Sequence, residues 1–317
     1  MKLISFIPED TKIPFMGARM ITFPISMLLV TLSLLAVGFV GLNYGIDFVG
    51  GTVIEARSKS GPADLGKIRT ELGELQIGEV QVQNIGQAED VLIRLGQLEG
   101  GDLAQQASVD KIKATLGDGY EYRKVETVGP RVSADLRRDG FVAVVVSLAL
   151  VLIYLWFRFE WQFAVGAVLT TLHDIVLTLG LISLVGIGFD LPVIAAILTI
   201  VGYSLNDTVV IYDRIRENLR KYKKMALPEL IDASINQTLT RTIRTSTTTI
   251  LAVGALLTFG GEALRGFNFT MLAGIIIGTY SSIVVSAPLL IFLNLRTGGG
   301  KGEGKTEGKA EPAGVGA

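Results

Sequence analysis

Residues 21–42, ITFPISMLLVTLSLLAVGFVGL, form an uninterrupted run of uncharged and mostly apolar side chains. A helix of about 20 such residues is long enough to cross the roughly 30 Å hydrocarbon core of a bilayer. The run is longer than the apolar region of a typical cleaved signal peptide, and no small-x-small cleavage site follows it. We therefore predict a membrane span that stays in the mature protein.

Five further stretches resemble membrane spans in length or hydropathy. One of them contains His173 and Asp174, and another contains Asp207. Residues 245–261 are uncharged but too short to span comfortably, so we expect their helix to begin earlier and to include two arginines. The six predicted spans are residues 21–43, 138–158, 161–187, 190–212, 236–261 and 266–295.

The composition of the 317-residue chain supports a membrane protein and excludes several kinds of site. Hydrophobic residues make up 49% of it and charged residues only 19%, with a mean hydropathy of +0.49. The net charge of −1 shows no basic excess, so we expect no nucleic-acid partner. The chain has no cysteine and one histidine, which argues against disulfides, structural zinc and thiol catalysis.

The distribution of lysine and arginine predicts the orientation of the spans, because these residues accumulate on the cytoplasmic side. Both chain ends are then cytoplasmic, and the long segment 44–137 lies in the periplasm. The shorter cytoplasmic parts are the N-terminal segment 1–20, a charged and helical loop at 213–235, and a disordered tail at 296–317. The basic residues that decide this are Lys2, Lys12 and Arg19 before span one, and Arg214, Arg216, Arg220, Lys221, Lys223 and Lys224 after span four.

The periplasmic segment reads as a small domain of α+β class. Alternating apolar residues predict strands, and apolar residues at helical spacing predict helices between them. The order βαββαβ is that of the ferredoxin-like split unit, a fold that by itself argues for no single function. The predicted elements are strands at 52–57, 79–85, 91–95 and 120–128 and helices at 63–75 and 105–116.

Asp207 is the strongest candidate for a functional residue. It lies six residues, or about 9 Å of helix, inside the cytoplasmic end of span four. A carboxylate at that depth is costly, and such groups usually serve function by binding and releasing ions. The alternative is a structural aspartate held by Ser204, Asn206, Thr208 or a neighbouring helix.

Arg241 is the second candidate for ion coupling, and four further residues have either a relay or a structural role: His173, Asp174, Asn206 and Arg244. Arg241 lies at a depth similar to that of Asp207, so an ion pair between span five and span four is geometrically reasonable. Arg244 also lies towards the cytoplasmic end of span five, where an arginine commonly snorkels to the interface. His173 and Asp174 serve either a relay or structural hydrogen bonds, and as sequence neighbours on a helix they are expected to point in different directions.

Two groups of small or hydroxylated residues are interpreted as packing features. Residues 245–249, TSTTT, can hydrogen-bond back to their helix, contact neighbouring helices or line a wet path. Gly274, Gly278, Ser281 and Ser282 form a small-residue face on span six that predicts close helix packing.

Several motifs resemble those of the SecF family of protein-export membrane subunits. The likeness covers nearly the whole chain except its two ends, and the motif around Asp207 is its most specific part. The motifs are GIDFVGG at 45–51, HD at 173–174, VGYSLNDTVV at 201–210, DRIREN at 213–218, NQTLTRT at 236–242, FGG at 259–261 and GTYSS at 278–282.

The resemblance implies a member of the resistance-nodulation-division superfamily, located in the bacterial inner membrane and paired with the related subunit SecD. It implies that the pair uses the proton gradient, or sodium in some members, to draw polypeptides through the SecYEG channel, with YajC as a further partner. The family's intramembrane aspartate and arginine correspond by motif to Asp207 and Arg241, whereas Arg244 is not expected at its position. Neither a bound cofactor nor enzymatic activity is expected.

Three other functions remain for comparison. A small-molecule exporter of the same superfamily would normally carry larger external domains and twice as many spans. A scaffold that transduces no ion would tolerate a neutral residue at position 207. An intramembrane hydrolase lacks an assembled nucleophile and base.

Overall fold

Long apolar helices dominate the structure, as the uncharged runs predict. The computed structural model describes residues 11–261, 264–293 and 295. After its last long helix the chain continues through a π-helical turn, Ser282–Ser286, into the short helix α10 (Ala287–Phe292). The long helices are α1 (Phe15–Phe39), α5 (Pro130–Arg158), α6 (Trp161–Val185), α7 (Leu191–Lys221), α8 (Leu227–Phe259) and α9 (Arg265–Ser281).

Five helical stretches among the described residues are long and apolar enough to cross a membrane: α1, α5, α6, α7 and the continuous stretch Arg265–Phe292. Helix α8, which contains most of the predicted span 236–261, is not among them. Two arginines and a run of hydroxylated residues lower its hydropathy. The predicted count of six spans therefore stays a prediction.

Helix ends differ from the predicted span ends. Helix α5 begins at Pro130, inside the segment 44–137 assigned to the soluble domain, and α1 begins six residues before position 21. Most of the predicted loop 213–235 belongs to α7 and α8, which leaves a connection of only five residues, 222–226. Hydropathy predicts where a helix leaves the lipid. The helix itself continues beyond that point, because charged residues form the same backbone hydrogen bonds as apolar ones. The predicted tail 296–317 and residues 1–10 lie outside the described residues.

The segment between α1 and α5 contains a four-stranded antiparallel sheet. A two-residue strand β1 (Asn43–Tyr44) and a one-turn helix α2 (Ile46–Val49) precede the sheet, and two helices follow the first and third of its strands. The elements are β2 (Gly51–Ser58), α3 (Leu65–Glu74), β3 (Val80–Asn84), β4 (Asp90–Leu95), α4 (Gly101–Leu116) and β5 (Tyr120–Val128). The strand order across the sheet is β3-β4-β2-β5.

The sheet has its own apolar core, formed between the strands and the two helices. Asp64 caps the N-terminus of α3, because its side chain accepts a 3.0 Å hydrogen bond from the Lys67 amide. At the edge of this core, the Arg57 guanidinium donates two 2.6 Å hydrogen bonds to Asp90 and thereby holds the pKa of that carboxyl below its ordinary value. The buried core residues are Ile54, Ile68, Leu72, Ile77, Val82, Val91, Ile93, Leu95, Val109, Ile112 and Leu116.

Helix α7 lies at the centre of the bundle and packs against α6, α8 and α9. The predicted small-residue face of α9 makes one of these contacts. A Cβ added at Gly274 would overlap the side chain of Ile200, and one at Gly278 would meet Ser204 at 3.0 Å. The two glycines therefore allow α9 to approach α7 closely, which brings the polar residues of both helices within hydrogen-bonding distance.

Candidate functional site

Asp207 is buried in the bundle, with 3% of its surface exposed. Its Oδ2 atom is enclosed and has no hydrogen-bond partner among the described residues. The two hydroxyls proposed to hold it are engaged elsewhere: Ser204 donates to Asp174 at 2.6 Å, and Thr208 pairs with Ser282 at 3.0 Å. The third proposed partner, Asn206, is exposed. None of the three therefore hydrogen-bonds to Oδ2 of Asp207.

Arg241 lies on α8, which packs against α7, and its side chain is exposed. Its positive charge acts on the Asp207 carboxylate through space. However, the described residues show no ion pair within 4.0 Å that involves Asp207 or Arg241. The structure thus shows the two groups as electrostatic neighbours rather than as the direct ion pair predicted from the sequence.

Exposed residues recur at every third or fourth position on α7 and on α8, in the stretches around Asp207 and Arg241. A face that carries arginine and asparagine is costly to expose to hydrocarbon. Such a face is more favourably covered by protein than by lipid. We call this surface the α7–α8 face, and its residues are Thr199, Gly202, Asn206, Arg241, Arg244 and Thr248.

Asp174 occupies a different environment from Asp207, although both are buried. Its Oδ2 atom accepts hydrogen bonds from Ser204 on α7 at 2.6 Å and from Ser281 on α9 at 2.8 Å. Its Oδ1 atom lies 2.9 Å from Nδ1 of His173. Asp174 therefore joins three helices through one carboxylate.

The hydrogen bond between His173 and Asp174 corrects the expectation that these neighbours point apart. Nδ1 is adjacent to the ring carbon that carries Cβ, so rotation of the side chain brings it to the next residue's carboxylate. The Nε2 atom of His173 is buried and has no hydrogen-bond partner among the described residues.

Sequence reasoning also missed Ser281 as a partner of Asp174, because the only signal was a serine on a face interpreted as packing.

The hydroxyls of α8 mostly bond to their own helix. Thr245, Thr248 and Thr249 each donate to a carbonyl oxygen three or four residues earlier. Ser246 is different, since it pairs with Thr279 of α9 at 2.7 Å. These bonds satisfy the hydroxyls within the bundle, as the interpretation of this run as a packing feature predicts.

Comparison with known proteins identifies the family. A family model described as "Protein export membrane protein SecD/SecF, C-terminal" matches residues 108–296, and one described as "SecD/SecF GG Motif" matches residues 35–61. The protein translocase subunit SecF of Rickettsia bellii is 47% identical over 296 residues, which are 92% of this chain and 97% of that protein. The chain belongs to the SecF family. It is accordingly a membrane protein with a role in protein export.

Longer relatives contain a SecF-like region as one part of a fused chain. The protein translocase subunit SecDF of Brucella abortus is 46% identical over 293 residues, which are 92% of this chain and 39% of that protein. The crystal structure of SecDF from Thermus thermophilus superposes with a TM-score of 0.83 at 37% identity. This SecF-family chain is covered to 92% in that superposition and spans 40% of the solved chain.

Proposed function

We propose that this chain couples movement of an ion across the membrane to export of polypeptides, with Asp207 as the group that binds and releases the ion. The observation that carries the proposal is the Asp207 carboxylate, which is buried at 3% exposure with an oxygen that no described residue hydrogen-bonds. A structural aspartate would have its acceptors satisfied, as Asp174 does. The coupling ion is a proton or sodium, and no bound cofactor takes part.

Arg241 acts on the charge state of Asp207 in this proposal. When Asp207 is ionised, the two charges attract each other across the α7–α8 contact. When Asp207 takes up a proton, the attraction is lost and Arg241 is released. Because α7 also packs against α6 and α9, a change at this contact shifts α7 relative to its neighbours.

SecD is the proposed partner that covers the α7–α8 face. Exposed arginines in the membrane require a polar protein surface opposite them. The SecDF relatives carry their SecF-like region within a chain more than twice as long, so a second region is available to supply that surface. SecD would then contribute the other side of the ion path. The SecYEG channel, YajC and the translocating polypeptide are the further proposed partners.

The proposed topology has six spans, with α8 as the fifth span of the chain. Burial against α7 and α9, together with SecD over its exposed side, compensates for its low hydropathy. The sheet between α1 and α5 is then a ferredoxin-like domain in the periplasm, and both chain ends lie in the cytoplasm. This arrangement places the sheet where a polypeptide emerges from the inner membrane.

The test is ion-gradient-dependent export by vesicles that contain the full complex. Asp207→Asn and Arg241→Met are compared with the wild type at matched abundance. The matched controls are Glu217→Gln and Arg220→Met, an exposed carboxylate and an exposed arginine near the end of α7 and outside the α7–α8 face. We expect loss of the gradient-stimulated part of export in the first pair and its retention in the controls.

Unchanged export in Asp207→Asn would favour a scaffold that transduces no ion. Gradient-dependent efflux of small molecules in place of polypeptide export would favour the alternative exporter function. A loss of assembly in Asp207→Asn would contradict the proposal as well, because Asp207 makes no hydrogen bond in the described structure that assembly could depend on.

A further inference from the structure

The segment Asn43–Gly51 is called the linker segment. It contains the motif at 45–51, which has no role in the proposed ion coupling at Asp207. It consists of a two-residue strand β1 (Asn43–Tyr44), a one-turn helix α2 (Ile46–Val49) and three glycines, Gly45, Gly50 and Gly51, the last of which begins β2. The segment lies between α1 and the sheet. Its side chains and backbone contact the sheet, α5 and the first turn of α7.

Contacts with α7 come from both backbone and side chain. Strand β1 pairs in parallel with β6 (Gly188–Phe189), which directly precedes α7, and the Gly45 amide donates to the Phe189 carbonyl at 2.7 Å. The Asp47 Oδ2 atom accepts a 3.0 Å hydrogen bond from the amide of Leu191, the first residue of α7. Asp47 thus supplies to α7 a bond that a helix cannot make within its own first turn.

The linker segment also contacts the sheet directly. Gly50 and Gly51 have φ angles of +75° and +113°, and a Cβ on Gly51 would overlap the carbonyl oxygen of Leu95. Only glycine fits there, so β2 begins directly against β4. From β4, Arg94 reaches back and donates a 2.9 Å hydrogen bond to Asn43 Oδ1.

Aromatic rings of the linker segment and of β6 pack against each other. Phe48 is buried at 3% exposure, and its ring lies 5.6 Å from that of Phe189 and 6.4 Å from that of Tyr44. Gly140 of α5 lies against the same ring. The linker segment is therefore packed on several sides, which is the property needed to transmit a displacement without absorbing it.

Helix α7 continues from Leu191 to Asp207, a distance of 16 residues or about 24 Å of helix. Pro192 is in its first turn, and no proline interrupts it after that. We propose that the linker segment transmits displacement of α7 to the sheet, with Asp47 as the positioning residue that attaches α7 to the segment. This inference rests on the proposed ion coupling at Asp207.

The test measures the distance between the sheet and α7 in the complex with a cysteine-free SecD, reconstituted in vesicles. Spin labels are placed on cysteines introduced at the exposed positions Lys111 of α4 and Glu217 of α7, since the chain has no cysteine of its own. Asp207→Asn imitates the neutral state. Its effect on the distance distribution is compared in the wild-type, Asp47→Ala, Asp47→Asn and Asp64→Ala backgrounds.

We expect Asp207→Asn to shift the distance distribution in the wild type and in Asp64→Ala, which removes a helix-capping aspartate within the sheet domain. The shift should be lost in Asp47→Ala and restored in Asp47→Asn, because asparagine keeps an oxygen that can accept from Leu191. Ion movement across the vesicle membrane should persist in Asp47→Ala while gradient-stimulated export is lost.

Three other outcomes are decisive, and the first two separate failure of this inference from failure of the proposed function. An equal shift in the wild type and in Asp47→Ala would overturn the role of the linker segment and leave ion coupling at Asp207 intact. No shift in any background, together with unchanged export in Asp207→Asn, would overturn both. Failure of Asp47→Asn to restore the shift would show that the hydrogen bond to Leu191 is not the attachment.

Discussion

Replacing Asp174 by alanine separates a structural carboxylate from an ion-binding one. The substitution removes the acceptor of three hydrogen bonds, from Ser204 at 2.6 Å, Ser281 at 2.8 Å and His173 at 2.9 Å. Hydrogen bonds inside membrane-protein bundles contribute about 0.6 kcal/mol on average and at most about 1.7. Three of them give a loss of roughly 2 to 5 kcal/mol in the free energy of unfolding.

The assay is denaturant unfolding of the purified protein in detergent. Asp174→Asn is the matched control, because it keeps the shape and an acceptor oxygen but removes the charge, and we expect it to lose less than half as much as alanine. Asp207→Asn should lower the free energy of unfolding by less than Asp174→Ala does, since Asp207 Oδ2 makes no hydrogen bond to a described residue that the substitution could break. Wild-type stability in Asp174→Ala would refute this assignment of roles.

Two further predictions concern the packing of the bundle and the sheet. Gly274→Val should destabilise the protein by about 1–3 kcal/mol, because its side chain would overlap Ile200, whereas Gly254→Val, where a Cβ has open space, should cost far less in the same unfolding assay. The bonds from Arg57 lower the pKa of Asp90 below the unfolded value of 3.8, so their stabilisation is complete above that value and is lost as the pH falls through the folded-state pKa. Unfolding measured between pH 5 and pH 2 should show this loss in the wild type and a weaker pH dependence in Asp90→Asn; equal pH dependence would contradict it.

The elements of the sheet could be predicted because their pattern is local. Alternation along residues 52–57 and 120–128 marks β2 and β5 to within one residue at each end. The ends of the long helices could not be predicted in this way. Residues 213–221 are charged and lie outside the predicted span, yet they continue α7, because charge ends a span without ending a helix.

The sequence identifies the candidate residues but not the contacts that they make. A carboxylate inside an apolar run identifies both Asp174 and Asp207, and nothing in the runs distinguishes them. The distinction depends on Ser281, which is 107 positions from Asp174 in the chain and meets it only through the close packing of α9. The bond from Leu191 to Asp47 joins residues 144 positions apart and has no local signal either.

Ion movement itself is the most direct test of the central claim that Asp207 binds and releases the coupling ion. Sealed vesicles containing the complex with SecD would be given a proton gradient or a sodium gradient, and ion uptake would be followed for the wild type, Asp207→Asn and the control Glu217→Gln. The account predicts that one of the two ions enters through the wild type and the control but not through Asp207→Asn. Equal uptake by all three proteins would contradict it.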